Sequence, residues 1–306
     1  MITAALDVLL EREMRLKCII LPALLASLMM NGQEATFRAD SRLVVLNVSV
    51  FGADGKVVRD LPKNAFTAYE NGEKQTLTVF RQEDVPISLG LIIDNSASMT
   101  DKRDRVASAA LSLVKASNPQ DEVFIINFNE HAVLAREFTN NIQDLEKALR
   151  NLDAKGETAM RDALLLGIEH LRHRAHSDKK VLLVVTDGED NSSMETQTHL
   201  VQVAQQNDVI IYAVGLLGAE EPESAARAQK ALTELTLQTG GRAWFPTDVT
   251  DIANITPDIA HEIRNQYVVA YTPTNLAADG SFRKIRVDVD VPGVVVRTRA
   301  GYYAPR

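Results

Sequence analysis

Short apolar runs alternate with amphipathic stretches from Val85 to about Arg264. The runs "ISLGLIID", "EVFIINF", "KVLLVVTD" and "DVIIYAVGLL" are rich in β-branched residues and lack polar alternation, as strands buried on both faces do. Two weaker runs, "AVLAREF" and "RAWFP", predict further strands. Between them, "RDALLLGIEHLRHR" puts Ala163, Leu164, Gly167, Ile168 and Leu171 on one helical face. Residues 102–117, 141–152, 199–207, 224–239 and 251–263 read as additional helices. This order predicts an α/β fold, a doubly wound, mostly parallel sheet over residues 85–265.

The flanks follow a different period. "RLVVLNVSVFGADGKVV" sets Asp54-Gly55 between two extended runs, a hairpin signal that Asn71-Gly72 repeats before "KQTLTVF". "FRKIRVDVDV" alternates Ile285, Val287, Val289 and Val291 with Arg286, Asp288 and Asp290, and Pro292-Gly293 turns it into "VVVRTRAGYY". Each flank is too short to bury a core alone. Residues 40–84 and 266–306 are therefore expected to pair into a smaller all-β, sandwich-like domain with the α/β domain inserted between its halves. The alternative is two separate hairpin appendages.

Composition narrows the function classes. A formal charge of -8, with no cluster of Lys and Arg, leaves no electrostatic footprint for nucleic acid or anionic lipid. Residues 1–35 contain "MRLKCIILPALLASLMMNGQEA", which starts at Met14 with Arg15 and Lys17 and runs apolar from Cys18 to Met30, as a secretory signal peptide does. That run is shorter than the ~17–25 residues of a spanning helix. An uncleaved anchor is the alternative, and either reading exports the chain to the periplasm, the envelope or the exterior, with no dedicated transmembrane helix in the mature part. Cys18 is the sole cysteine, so the mature part has neither disulfides nor thiolate zinc sites.

Two of the buried runs end on acids, "LIID" at Asp94 and "LLVVTD" at Asp187. In an open parallel sheet the carboxyl ends of the strands form the ligand face, at the point where strand order reverses. "DNSAS" adds Ser96 and Ser98 at alternate positions, and "GETAMRDAL" brings Thr158 on a glycine-preceded loop. The serines and Asp94 also suit the cap of the helix that follows. Taken together, Asp94, Ser96, Ser98, Thr158 and Asp187 are an all-oxygen set that matches Mg²⁺ or Mn²⁺, with a remaining position left for water.

These three separated pieces, in this order, resemble the metal-ion-dependent adhesion site of von Willebrand factor type A domains, over about residues 86–264. The flanking "LPKNAFTAYENGEKQ" and "YTPTNLAADGSFRKIRV" more loosely resemble bacterial, acidobacterial-type members of that group. The resemblance implies that Ser96, Ser98 and Thr158 coordinate the ion directly, that Asp94 and Asp187 do so directly or through water, and that a partner protein donates a carboxylate. Ala97 stands where many members have glycine, which bears on affinity if φ is positive there.

Other candidates read as structural. Glu189, Asp190 and Glu195 form an acidic loop that is most simply solvated, the alternatives being a second cation site or a repulsive rim. His170, His173 and His176 are crowded by Arg172 and Arg174, which oppose a metal. Trp244 reads as strand packing. The expected function is a non-enzymatic, exported module for metal-dependent protein binding or adhesion. The rivals are an envelope scaffold with a structural metal, and a Mg²⁺-dependent hydrolase or phosphatase with Asp94 as nucleophile. The last lacks the second acid two positions on, where Ser96 stands, and has no G-x-S-x-G elbow or P-loop.

Overall fold

The N-terminal extended run forms β1 (Val44–Phe51), whose alternate residues Val44, Leu46, Val48 and Val50 are buried. A computed structural model describes residues 43–306 apart from 83, 117 and 151–154; the expected export segment and Cys18 lie outside the described residues. The Asp54-Gly55 turn closes a single bridge, Phe51 to Val57, rather than the expected hairpin. Asn71-Gly72 does make one, joining β2 (Phe66–Glu70) to β3 (Glu73–Gln75) with φ of 50° and 88° at the two turn residues, the left-handed geometry that Asn and Gly tolerate. The run after it then leaves the hairpin, and β4 (Leu77–Arg81) joins the other sheet.

The α/β region follows as β5 (Ile87–Asp94), α1 (Arg103–Ala116), β6 (Glu122–Phe128), β7 (Ala132–Thr139), α2 (Ile142–Arg150), α3 (Met160–Arg174), β8 (Lys179–Thr186), α4 (Gln197–Gln206), β9 (Val209–Gly215), α5 (Pro222–Thr239), β10 (Ala243–Trp244) and α6 (Ile252–Arg264). Its six strands are ordered β10-β9-β8-β5-β6-β7, all parallel except the edge strand β7. Every residue of β5 is buried, the signature of a central strand covered on both faces. Ile87, Leu89, Leu91 and Ile93 meet α1, α2 and α6, while Ile92 faces α3, α4 and α5. Gly90 lies on that second face, where an added Cβ would come within 2.4 Å of Phe124 and 2.5 Å of Leu182. The sheet is thus doubly wound, and the order reverses between β5 and β8.

The C-terminal flank supplies β11 (Tyr267–Tyr271), β12 (Phe282–Val289), β13 (Val295–Arg297) and β14 (Gly301–Tyr303). Two antiparallel sheets result, β13-β1-β11-β4 and β14-β12-β2-β3, each built from both flanks. Between them lies one core of Leu46, Val48, Phe66, Tyr267, Val269, Ile285 and Val287. The Pro292-Gly293 turn does not fold β13 back on β12: β13 crosses to pair with β1, and β14 returns to β12. The inserted domain is tied to this sandwich by Gln266, whose amide donates to Ser49 Oγ at 2.9 Å and Tyr212 Oη at 3.2 Å. No helix among the described residues is long and apolar enough to cross a membrane.

Candidate metal centre

β5 carries its apolar run to the rim of the sheet and ends there on Asp94, which is fully buried and in register with Phe128 of β6. Its Oδ1 accepts the Ser96 amide N–H at 2.9 Å, and its Oδ2 accepts the Thr186 hydroxyl at 2.6 Å. Burial pushes the Asp94 carboxyl up to about 6; the Thr186 and Ser96 bonds oppose this, and the neighbouring Asp187 charge adds to it.

After the extended Ser96, residues Ala97–Met99 make one turn of 3-10 helix. Ala97 is not among the described residues with positive φ, so alanine meets no backbone strain here. The turn brings Ser96 Oγ and Ser98 Oγ to 3.1 Å, and Ser98 Oγ donates to Asp187 Oδ1 at 2.8 Å. Asp187 is also fully buried, and its Oδ2 accepts from the Lys102 ammonium. Four of the five residues singled out in the sequence therefore share one continuous hydrogen-bonded run across the β5–β8 reversal.

The Thr158 hydroxyl is not part of that run among the described residues, but its backbone lies between the serine loop after β5 and the acidic loop after β8. On one side, Ala97 N–H donates to Gly156 O at 3.3 Å and Lys155 N–H to Asn95 O at 3.0 Å. On the other, Thr158 N–H donates to Asn191 Oδ1 at 3.0 Å, and its carbonyl accepts Asn191 and Ser192 N–H at 3.1 and 3.2 Å. Gly156 has φ of 78°, a left-handed conformation for which the loop needs glycine.

Lys102 and Thr186 were not legible as site residues. Thr186 is a buried hydroxyl closing an apolar strand, a faint signal. Lys102 had a better one: it directly precedes α1, where the helix dipole disfavours a cation, so an acidic partner is called for.

The acidic loop is not simply solvated. Asp190 caps α3 from a distance, its Oδ2 accepting Arg161 N–H at 2.7 Å and Ser193 Oγ at 2.8 Å. Glu189 pairs with Arg227, and Glu195 with His199. His170 stacks on Phe138 and faces Glu137, whereas His176 pairs with Glu122. No group of three or more His, Cys, Asp or Glu side chains suited to a metal occurs among the described residues, so the two rim carboxylates do not make a complete ligand set by themselves. Trp244 is buried beneath the Arg242 guanidinium, 5.0 Å from its ring. Beside the β5 loop opens a cleft of about 490 Å³, lined in part by Asn95, Asn127, His131, Arg136 and Lys147. The Asn127 carboxamide is buried there without a hydrogen-bond partner among the described residues.

A doubly wound α/β domain with hydroxyls and carboxylates gathered at its switch point defines the class. Residues 89–189 match the family model of the von Willebrand factor type A domain, and the chain contains such a domain. An uncharacterized protein of Synechocystis sp. is 28% identical over 135 residues, covering 43% of this chain and 32% of that one. Integrin alpha-11 of Mus musculus is 32% identical over 109 residues, covering 32% of this chain and 9% of the integrin. The chain thus matches a third or less of the length of these relatives. The solved structure of a von Willebrand factor type A protein from Catenulispora acidiphila superposes with a TM-score of 0.51 at 13% identity, over 87% of this chain and 75% of that one, a likeness of fold.

Proposed function

We propose that this chain is a non-enzymatic module that binds a partner protein through a divalent cation held by Asp94, Ser96, Ser98, Thr158 and Asp187. The observation that carries the reading is the hydrogen-bonded run from Asp94 through Ser96 and Ser98 to Asp187, at the reversal of strand order in a von Willebrand factor type A domain. The donors are hard oxygens, which fits Mg²⁺ or Mn²⁺ rather than a thiolate- or imidazole-bound ion. Two buried carboxylates side by side also call for positive charge. The bound ion supplies a Lewis-acidic anchor for a carboxylate from the partner, and the adjoining cleft offers room for the groups flanking it.

Asp94 has both oxygens engaged, by Ser96 N–H and Thr186 Oγ, and no acid two positions on; this favours a binding role over an aspartyl nucleophile. The expected signal segment adds export to the periplasm, envelope or exterior. Affinity capture from the native envelope, run in Mg²⁺ and in chelator with Asp94→Ala as control, tests the proposal. Capture that needs both the ion and Asp94 is expected. Capture indifferent to chelator, with Mg²⁺ only raising the melting temperature, would point to the scaffold reading instead.

A further inference from the structure

Lys102 is the one cation that bonds to Asp94 or Asp187 among the described residues. Its partner, Asp187, is fully buried, while 17% of the Lys102 side chain is exposed. The lysine sits on the same segment as the serines: Lys102 N–H donates to Met99 O at 3.0 Å, and Lys102 O accepts Val106 N–H at 3.1 Å to open α1. Its backbone therefore opens the positive end of α1, where a cation gains nothing from the helix dipole, and its ammonium reaches across to Asp187.

We infer that Lys102 is a built-in counter-ion that competes with the divalent cation for Asp187 and so sets the metal concentration at which the site fills. The inference rests on reading the site as a metal centre. A divalent ion and an ammonium on one buried carboxylate repel each other at close range in a medium that screens poorly. The two compete for that carboxylate, and the lysine can withdraw: its four-carbon stem is flexible and its side chain is partly exposed. Metal affinity is then lowered by the fraction of molecules in which the ammonium has withdrawn. Without metal, the same ion pair keeps Asp187 from being a buried, uncompensated charge.

The experiment is calorimetric titration of the full chain with Mn²⁺ and Mg²⁺, comparing the wild type with Lys102→Met, Lys102→Arg and Asp94→Ala, and melting curves in chelator. Lys102→Met keeps the stem and drops the charge, so affinity should rise roughly tenfold or more. In chelator it should melt below the wild type, and added Mg²⁺ should raise its melting temperature further than it raises the wild type's. Lys102→Arg should stay close to the wild type. A second measurement needs no variant: amine acetylation of the wild-type chain read by peptide mass spectrometry, in which Lys102 should label faster in Mg²⁺ than in chelator. Metal binding that is lost in Asp94→Ala yet unchanged or weaker in Lys102→Met overturns the counter-ion and leaves the metal centre standing. So does a Lys102 labelling rate that ignores bound Mg²⁺. Absence of binding in every variant overturns both.

Discussion

The Thr186 hydroxyl donates to Asp94 Oδ2 at 2.6 Å, joining the ends of two neighbouring strands across 92 residues of sequence. Both side chains are fully buried, so the carboxylate has no water to replace a lost donor. Thr186→Val, which keeps the shape and removes the hydroxyl, should cost about 1–3 kcal/mol in metal-free protein. Thr186→Ser should cost less than half of that. Urea denaturation in chelator measures both, and a loss in Thr186→Ser with none in Thr186→Val would show that methyl packing, not the hydrogen bond, matters at this position.

Asp190 and Glu189 are adjacent acids with opposite roles. Asp190 holds the first turn of α3 through Arg161 N–H, with its side chain 6% exposed, while the Glu189–Arg227 pair is 31% and 60% exposed. Asp190→Ala should destabilise by about 1–2 kcal/mol, as loss of a helix cap does. Glu189→Ala should fall within the ~0–1 kcal/mol of a solvent-screened pair. Comparable losses for the two, by chemical denaturation, would refute the distinction.

Gly90 is a packing requirement rather than a conformational one. Phe124 and Leu182, both fully buried, occupy the space a side chain would take. Gly90→Ala should therefore cost about 1–3 kcal/mol, the range of overpacking, despite the better strand propensity of alanine. The companion Phe124→Leu should recover part of that loss; a double variant no better than the sum of the two single ones would rule out this clash as the cause.

Lys179 gives the stability a pH dependence. It is buried with its ammonium on Ile263 O, and burial pushes it down to about 7, partly offset by Asp121. The unfolded chain keeps this proton up to the ordinary lysine value of 10.5, so between about 7 and 10.5 it binds more protons than the folded chain. The lysine's contribution to stability must then rise with pH through that window, the penalty of burying its charge being present below it. The difference in urea midpoint between wild type and Lys179→Met, followed from pH 6 to about 10.5, should swing in favour of the wild type as pH rises. Parallel curves would mean that the lysine keeps its proton in the folded state.

Periodicity and local turn chemistry were enough to read the inserted α/β domain. β5, β6, β8 and β9 fall on the four apolar runs, because a strand buried on both faces must be apolar throughout. The Asn71-Gly72 hairpin was equally plain, since few residue pairs accept that backbone. That Asp94, Ser96, Ser98 and Asp187 would gather at one rim could be read because they lie at strand ends and follow a spacing, both local properties. The crossing of β13 to β1, the distant capping by Asp190, and the meetings of Lys102 with Asp187 and Thr186 with Asp94 were decided only by the tertiary structure. Each joins groups far apart in the chain whose pairing depends on strand register and on which face a side chain takes, and a hydroxyl or an ammonium carries no mark of its partner until the sheet has assembled around it.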